Sequence, residues 1–166
     1  MKWDYSRKTV NIYRLPHHFG PKLQSEIAYE HKARMRNAID FKLDVGTTIV
    51  AALDGIVEQV ADEFEDNGRL ERTFLGKSNY IIIEHHNNEF SLYVHLKKDS
   101  TKVKEGQLVR MNQQIGKVGL SCFTSYPHLH FEVWTPRLTR NQHRDPTLLV
   151  RFKHRGKIFT VRSPTE

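Results

Sequence analysis

Short β-branched and aromatic segments, punctuated by Gly, Asn and Asp, commit most of this chain to strands. "NAIDFKL", "TTIVAAL", "GIVEQVA", "NYIIIEH", "FSLYVHL", "QLVRMN", "QIGKVGL" and "LHFEVW" are each six or seven residues long, the length of an ordinary strand. Residues 100–120 hold no helical period. The expected fold is mainly β with little helix: a compact antiparallel β-sandwich or barrel-sandwich hybrid. The best helix candidate is "PKLQSEIAYEHKARMR", residues 21–36, on weak apolar spacing at Leu23, Ile27 and Met35, and a polar loop fits this segment nearly as well. Residues 62–79 are polar and mixed in charge and read as a long loop, and the basic tail predicts a hairpin around Arg155-Gly156.

The strand pattern contains an internal echo. "GTTIVAALDGIV" from Gly46 resembles "GQLVRMNQQIG" from Gly106: Gly, an apolar pair ending in Val50 or Val109, then a second Gly. Each half predicts a strand, a tight turn and a strand, so a duplicated motif is expected in the core.

With 166 residues the chain has the length of a single domain, 1–166. One cysteine, Cys122, excludes an internal disulfide and a Cys-rich zinc finger, so any metal site must be built from His and carboxylates. The formal charge of +7 favours an anionic partner, although a solvated surplus of Lys and Arg explains it equally well. No recognised nucleic-acid motif accompanies the charge, and nucleic acid is not an expected partner. No stretch is apolar enough to span a bilayer, and the opening "MKWDYSRKTVNIYRL" shows no apolar signal-peptide core.

Against this background, several polar residues stand out. Asp40 lies among apolar residues in "NAIDFKL", and His95 does so in "LYVHL". His128 and His130 share one face of "PHLHFEVW", because side chains alternate along a strand. A buried carboxylate needs a partner, and paired imidazoles suit a metal or a metal with a base. Ten histidines are present, and most should be ordinary surface or hydrogen-bonded residues.

"HKARMRNAIDF", "GTTIVAALDGIV", "NYIIIEH", "LYVHL", "VKEGQLVRMNQQIGKVG" and "PHLHFEVW" occur in the order found in the lysostaphin-type zinc metallopeptidases, the peptidoglycan endopeptidases, and the chain resembles that family over about residues 13–135. A basic extension, 136–166, follows this core. The resemblance implies one Zn2+ per chain, with Asp40 and His130 as ligands and His128 and His95 beside the reacting water. In many members the remaining ligand, a His, precedes the Asp by four residues. Arg36 stands there in this chain, with Ala38 in place of a usual Gly. Another branch places the His further upstream, and "HKARMRNAIDF" resembles that branch, which assigns His31.

The family's Gly-rich turn before the His pair reads "GLSCFTSYPHLH" here, with Cys122 and Tyr126 where glycines are common, so a reshaped cleft rim is expected. The roles implied are general base for His128, and water-binding or oxyanion stabilisation for His95. The substrate implied is a peptidoglycan peptide, cross-bridge or stem, which places the activity in the cell envelope or outside the cell; a monomer is assumed. The alternative is a catalytically silent wall-binding or regulatory module that has lost a ligand. A biotinyl-type carrier is excluded by the absence of Met-Lys-Met, and a phosphocarrier gives Asp40 no role.

Overall fold

The computed structural model describes residues 4–18, 27–28 (backbone only), 31, 35–66, 76–122, 124, 126–136 and 146–161. Strands dominate: β1 (Ile27–Ala28), β2 (Ile39–Lys42), β3 (Thr48–Val50), β4 (Gly55–Ala61), β5 (Tyr80–His85), β6 (Glu89–Val94), β7 (Leu108–Val109), β8 (Gln114–Lys117), β9 (His128–Trp134), β10 (Arg151–His154) and β11 (Lys157–Thr160). A short 3-10 turn, His86–Asn88, links β5 to β6. Seven strands form one antiparallel sheet in the order β1-β2-β9-β6-β5-β4-β7, and β3-β8 and β10-β11 form two small sheets.

β9 lies inside the large sheet between β2 and β6, and all seven of its residues are buried. Its alternation sorts them. Leu129, Phe131 and Val133 point into the hydrophobic core with Ile39 and Phe41 of β2, Tyr93 of β6, and Ile81 and Ile83 of β5. Ile49 and Ile115 of the β3–β8 pair and Phe152 of β10 pack into the same core. Each such side chain contributes about 2 kcal/mol by leaving water. His128, His130 and Glu132 are left for the opposite face.

The internal echo is interlocked rather than side by side. β3 of the first copy pairs with β8 of the second, and β4 pairs with β7. The Gly46 N–H donates to the Val118 carbonyl and the Gly106 N–H to the Val57 carbonyl, both at 2.8 Å. Return bonds of 2.9 Å run from Val118 N–H to Thr47 O and from Val57 N–H to Gln107 O. Both glycines take positive φ, +87° and +78°, which explains why this position repeats as Gly.

The basic tail forms the hairpin its sequence predicts. Arg155 and Gly156 both have positive φ in a two-residue turn, and Phe152 pairs with Phe159 across β10 and β11. The helix expected over 21–36 is a correction. Ile27–Ala28 is a strand paired with Phe41 and Asp40, and Met35–Asn37 makes a single turn before β2; the intervening 21–26, 29–30 and 32–34 lie outside the described residues. The apolar spacing there was sparse, and pairing with the edge of β2 takes the backbone bonds a helix needs. Of the loop expected at 62–79, residues 62–66 and 76–79 have no regular structure and the rest lies outside the described residues.

Two buried polar groups tie the layers together. Glu89 is fully buried, and its carboxylate accepts from the Val10 and Asn11 N–H groups at 2.5 and 3.2 Å and from the Tyr13 hydroxyl at 3.0 Å. The Nδ1–H of His85 donates to the Asp54 carbonyl at 2.8 Å, and its Nε2 accepts from the Ser91 hydroxyl at 2.7 Å. Burial lowers the His85 pKa from 6.5 to about 4. The unfolded chain therefore takes up this proton first, so stability is full above the unfolded pKa and falls as the pH drops through the window between 6.5 and about 4. Urea unfolding at pH 7.5 and pH 5 should show a loss of about 2 kcal/mol from this ring alone, and His85→Gln should remove that part of the slope.

Candidate metal centre

The pairing of β2 with β9 sets Asp40 opposite His130 and Lys42 opposite His128. Directly opposed residues share a face, so these four project together from the sheet, away from Phe41 and Phe131. β1 sets Ala28 opposite Asp40, and three residues later the chain reaches His31 on the same carboxylate. Asp40 Oδ1 lies 2.9 Å from His130 Nδ1, 3.1 Å from His31 Nε2 and 3.7 Å from His128 Nε2. One ligand atom each from His31, Asp40 and His130 falls within 4.8 Å of the others.

Two imidazoles and one carboxylate suit a borderline divalent cation such as zinc. They offer too few oxygens for calcium. The electrostatics fit the same purpose. Burial pushes the Asp40 carboxyl up, but hydrogen bonds from His130 and His31 outweigh it and hold the group well below the usual carboxylate range. Burial pushes His130 down, but the carboxylates of Asp40 and Glu132 carry it up to about 9. Glu132 Oε2 lies 3.6 Å from His130 Nε2, on the far side of the ring from Asp40. A carboxylate there fixes the ring's orientation and leaves Nδ1 facing the centre, an arrangement common behind metal-ligating histidines.

His128 and His95 flank this group. His128 Nδ1–H donates to the Tyr126 carbonyl at 3.0 Å, so its Nε2 faces Asp40 as a bare lone pair. Burial lowers its pKa, against the opposing pull of Asp40. The rings of His95 and His128 are 4.5 Å apart, and the Tyr126 ring stacks on His128 from outside at 4.7 Å. His95 Nδ1–H donates to the Ser121 carbonyl at 2.8 Å. Burial, with the electrostatic influence of the neighbouring His128 ring, takes its pKa down to about 3.

The support for His95 comes from outside its own strand. It sits at φ 65°, a left-handed conformation a histidine adopts only when held there. The Gly119 N–H binds its carbonyl at 2.8 Å. Ser121 is pinned in turn: its hydroxyl accepts from the Asn79 N–H at 2.9 Å and donates to the Leu96 carbonyl at 3.0 Å.

All five residues expected from sequence lie in this group. His31 stands beside Asp40, while Arg36 is exposed and holds its guanidinium 5.3 Å from the centre of the Tyr5 ring. Cys122 takes φ 74°, a conformation that favours glycine. Glu132 and Tyr126, which lie against this group, were not among the residues expected from sequence. For Glu132 the signal was present: it follows His130 by two residues in a strand, so it shares its face, and an acid there needs a partner.

The sequence profile of peptidase family M23 matches residues 34–146, more than half of the chain. Among curated proteins, the peptidoglycan DD-endopeptidase ShyC of Vibrio cholerae is 31% identical over 147 residues, covering 88% of this chain. The chain spans only 29% of that relative's length. Among solved structures, a zinc-containing peptidase from Vibrio cholerae aligns with TM-score 0.52 and 25% identity, over 88% of this chain and 38% of the other. The catalytic domain of lysostaphin from Staphylococcus simulans shares the fold, with TM-score 0.50 and 22% identity over 84% of this chain and 89% of that domain.

If Glu132 orients His130, then Glu132→Gln weakens zinc binding about tenfold or more. Competition against a chromophoric chelator measures this, with circular dichroism checking that the fold is kept.

Proposed function

The chain belongs to peptidase family M23, and we propose that it is a zinc-dependent endopeptidase that hydrolyses peptide bonds of bacterial peptidoglycan. One observation carries the reading: Asp40 Oδ1 lies within 3.1 Å of both His31 and His130, with Nε2 of His128 beside it at 3.7 Å. Three ligands and a flanking base are what a hydrolytic centre requires; a structural zinc would close with a fourth protein ligand. The substrate rests on the endopeptidase relative, and with it a site of action in the cell envelope or outside the cell. No helix among the described residues is long and apolar enough to cross a membrane.

In this reading His31, Asp40 and His130 hold one zinc ion per chain. When bound, the ion polarises the scissile carbonyl and lowers the pKa of water from ~15.7 toward ~7. The residues do the rest. His128 is the general base: Tyr126 fixes its tautomer, and burial keeps Nε2 free of a proton near neutral pH. His95 donates through Nδ1 to Ser121, so its Nε2 is an acceptor. That favours holding and orienting the attacking water over stabilising an oxyanion, which needs a donor. Glu132 holds His130 in place. Asp40 contributes its negative charge as a ligand and also faces the base, where it favours uptake of the proton by His128.

Two substitutions separate chemistry from metal binding. His128→Ala keeps stoichiometric zinc and loses at least about a hundredfold in turnover, read by zinc analysis together with dye release from labelled peptidoglycan. Full activity in that variant would remove His128 from its role. His31→Ala purifies with less than stoichiometric zinc, and unchanged zinc content would mean that another residue completes the site.

A further inference from the structure

Among the described residues of β2, β9, β6 and β5, Glu132, the exposed Glu84 and Lys42 are the charged residues on the site face beyond the central group. Across from it, β6 and β5 present Val94, Leu92 and Ile82. Among the described residues of β2, β9, β6 and β5 that share this face, Lys42 is the lone permanent cation. Its strand is fixed by the register that builds the centre, with Lys42 opposite His128 as Asp40 is opposite His130. The neighbouring Asp40, Phe41 and Leu43 are buried, whereas Lys42 is exposed.

Among the described residues no carboxylate lies within ion-pair distance of Lys42, not even Asp44 two positions on. The ammonium instead rests 5.8 Å from the centre of the Tyr126 ring, and that ring stacks at 4.7 Å on His128. Lysine, aromatic ring and base therefore form a stack from the rim of the cleft inward. The ammonium is no more than about 10.5 Å from the centre of the His128 ring, the reach of about three residues of extended peptide at roughly 3.3 Å each. A cation–π contact at an exposed site is weak, so an incoming carboxylate displaces it readily.

We propose that Lys42 is a specificity-determining residue that reads a free carboxylate on the substrate within about three residues of the scissile bond. This rests on the endopeptidase reading of the site. The substrate class is then an acidic peptide, one whose bridging residue keeps a free carboxylate, in preference to a neutral or amidated one. Tyr126 serves as the resting place for the ammonium and aligns it with the base. The interaction is between an exposed lysine and a carboxylate, so it changes recognition by about tenfold at low salt and fades as salt screens it.

The test uses two cross-linked muropeptide dimers: one with the free carboxylate on the bridging diamino acid, the other amidated at that carboxylate. Zinc-loaded wild-type protein should show kcat/KM about tenfold higher on the acid, mostly through KM. Lys42→Met should bring the ratio to near one, and Lys42→Glu should invert it, with zinc content unchanged in both. A wild-type protein with no preference, or a preference that survives in Lys42→Met, overturns the proposal. Binding of both dimers to zinc-loaded His128→Ala protein, followed by calorimetry, separates the two readings. If wild-type protein cleaves neither dimer, yet the acid binds more tightly and Lys42→Met abolishes the difference, the endopeptidase reading falls and the carboxylate site stands. If the acid shows no binding advantage, the carboxylate site falls whatever the activity.

Discussion

Everything at the centre depends on one cross-strand pair, Asp40 of β2 against His130 of β9. The pairing register fixes more than this contact. It sends Ile39 and Phe41 into the core while Asp40 faces the histidines, and it does the same for Leu129 and Phe131 around His130. A slip of one residue would place an acid and two imidazoles in the hydrophobic interior and expel Phe41 and Phe131. The core and the site thus enforce the same register from opposite faces of one sheet. A buried carboxylate would be costly alone, and the two rings within 3.1 Å meet that cost. The proton that Asp40 and Glu132 raise on His130, with its pKa at about 9, is the counter-charge that a cation replaces.

The flanking histidines are held by parts of the chain that touch no ligand. His128 depends on the carbonyl of Tyr126 for its tautomer, and His95 depends on Ser121, which in turn depends on Asn79. The backbone of His95 is strained at φ 65°, and the Gly119 bond helps to hold it there. Such strain persists only where the surroundings over-determine it. Ser121 and Tyr126, from the stretch before β9, thus orient both flanking rings through their backbone carbonyls.

The strands were legible in the sequence because their alternation is local, and Asp40, His95, His128 and His130 stood out as polar residues breaking it. The glycine echo was legible too, but its interlocked pairing was not: that Gly46 meets Val118 and Gly106 meets Val57 is a long-range fact with no local trace. The same limit explains the failed helix at 21–36. Two residues of β1 pair with β2 because of where β2 lies, and apolar spacing cannot encode that. His31 came from resemblance alone, since nothing around it in sequence marks a ligand. Glu132 was readable from its alternation with His130 and was passed over because an acid near a strand end looks ordinary.

The interlocked repeat also dictates an order of events in the life of the chain. Among the described residues β3, at Thr48–Val50, has no strand partner until β8, at Gln114–Lys117, exists, and β4 waits for β7 to cover its outer edge. A nascent chain emerging from the ribosome therefore carries an unfinished first copy through more than sixty further residues of synthesis. Pairings so distant in sequence are slow to close and leave strand edges open meanwhile. Asp40 and His130 are ninety residues apart and meet only when β9 inserts between β2 and β6. The centre is therefore assembled late, so an incompletely translated or clipped chain lacks it.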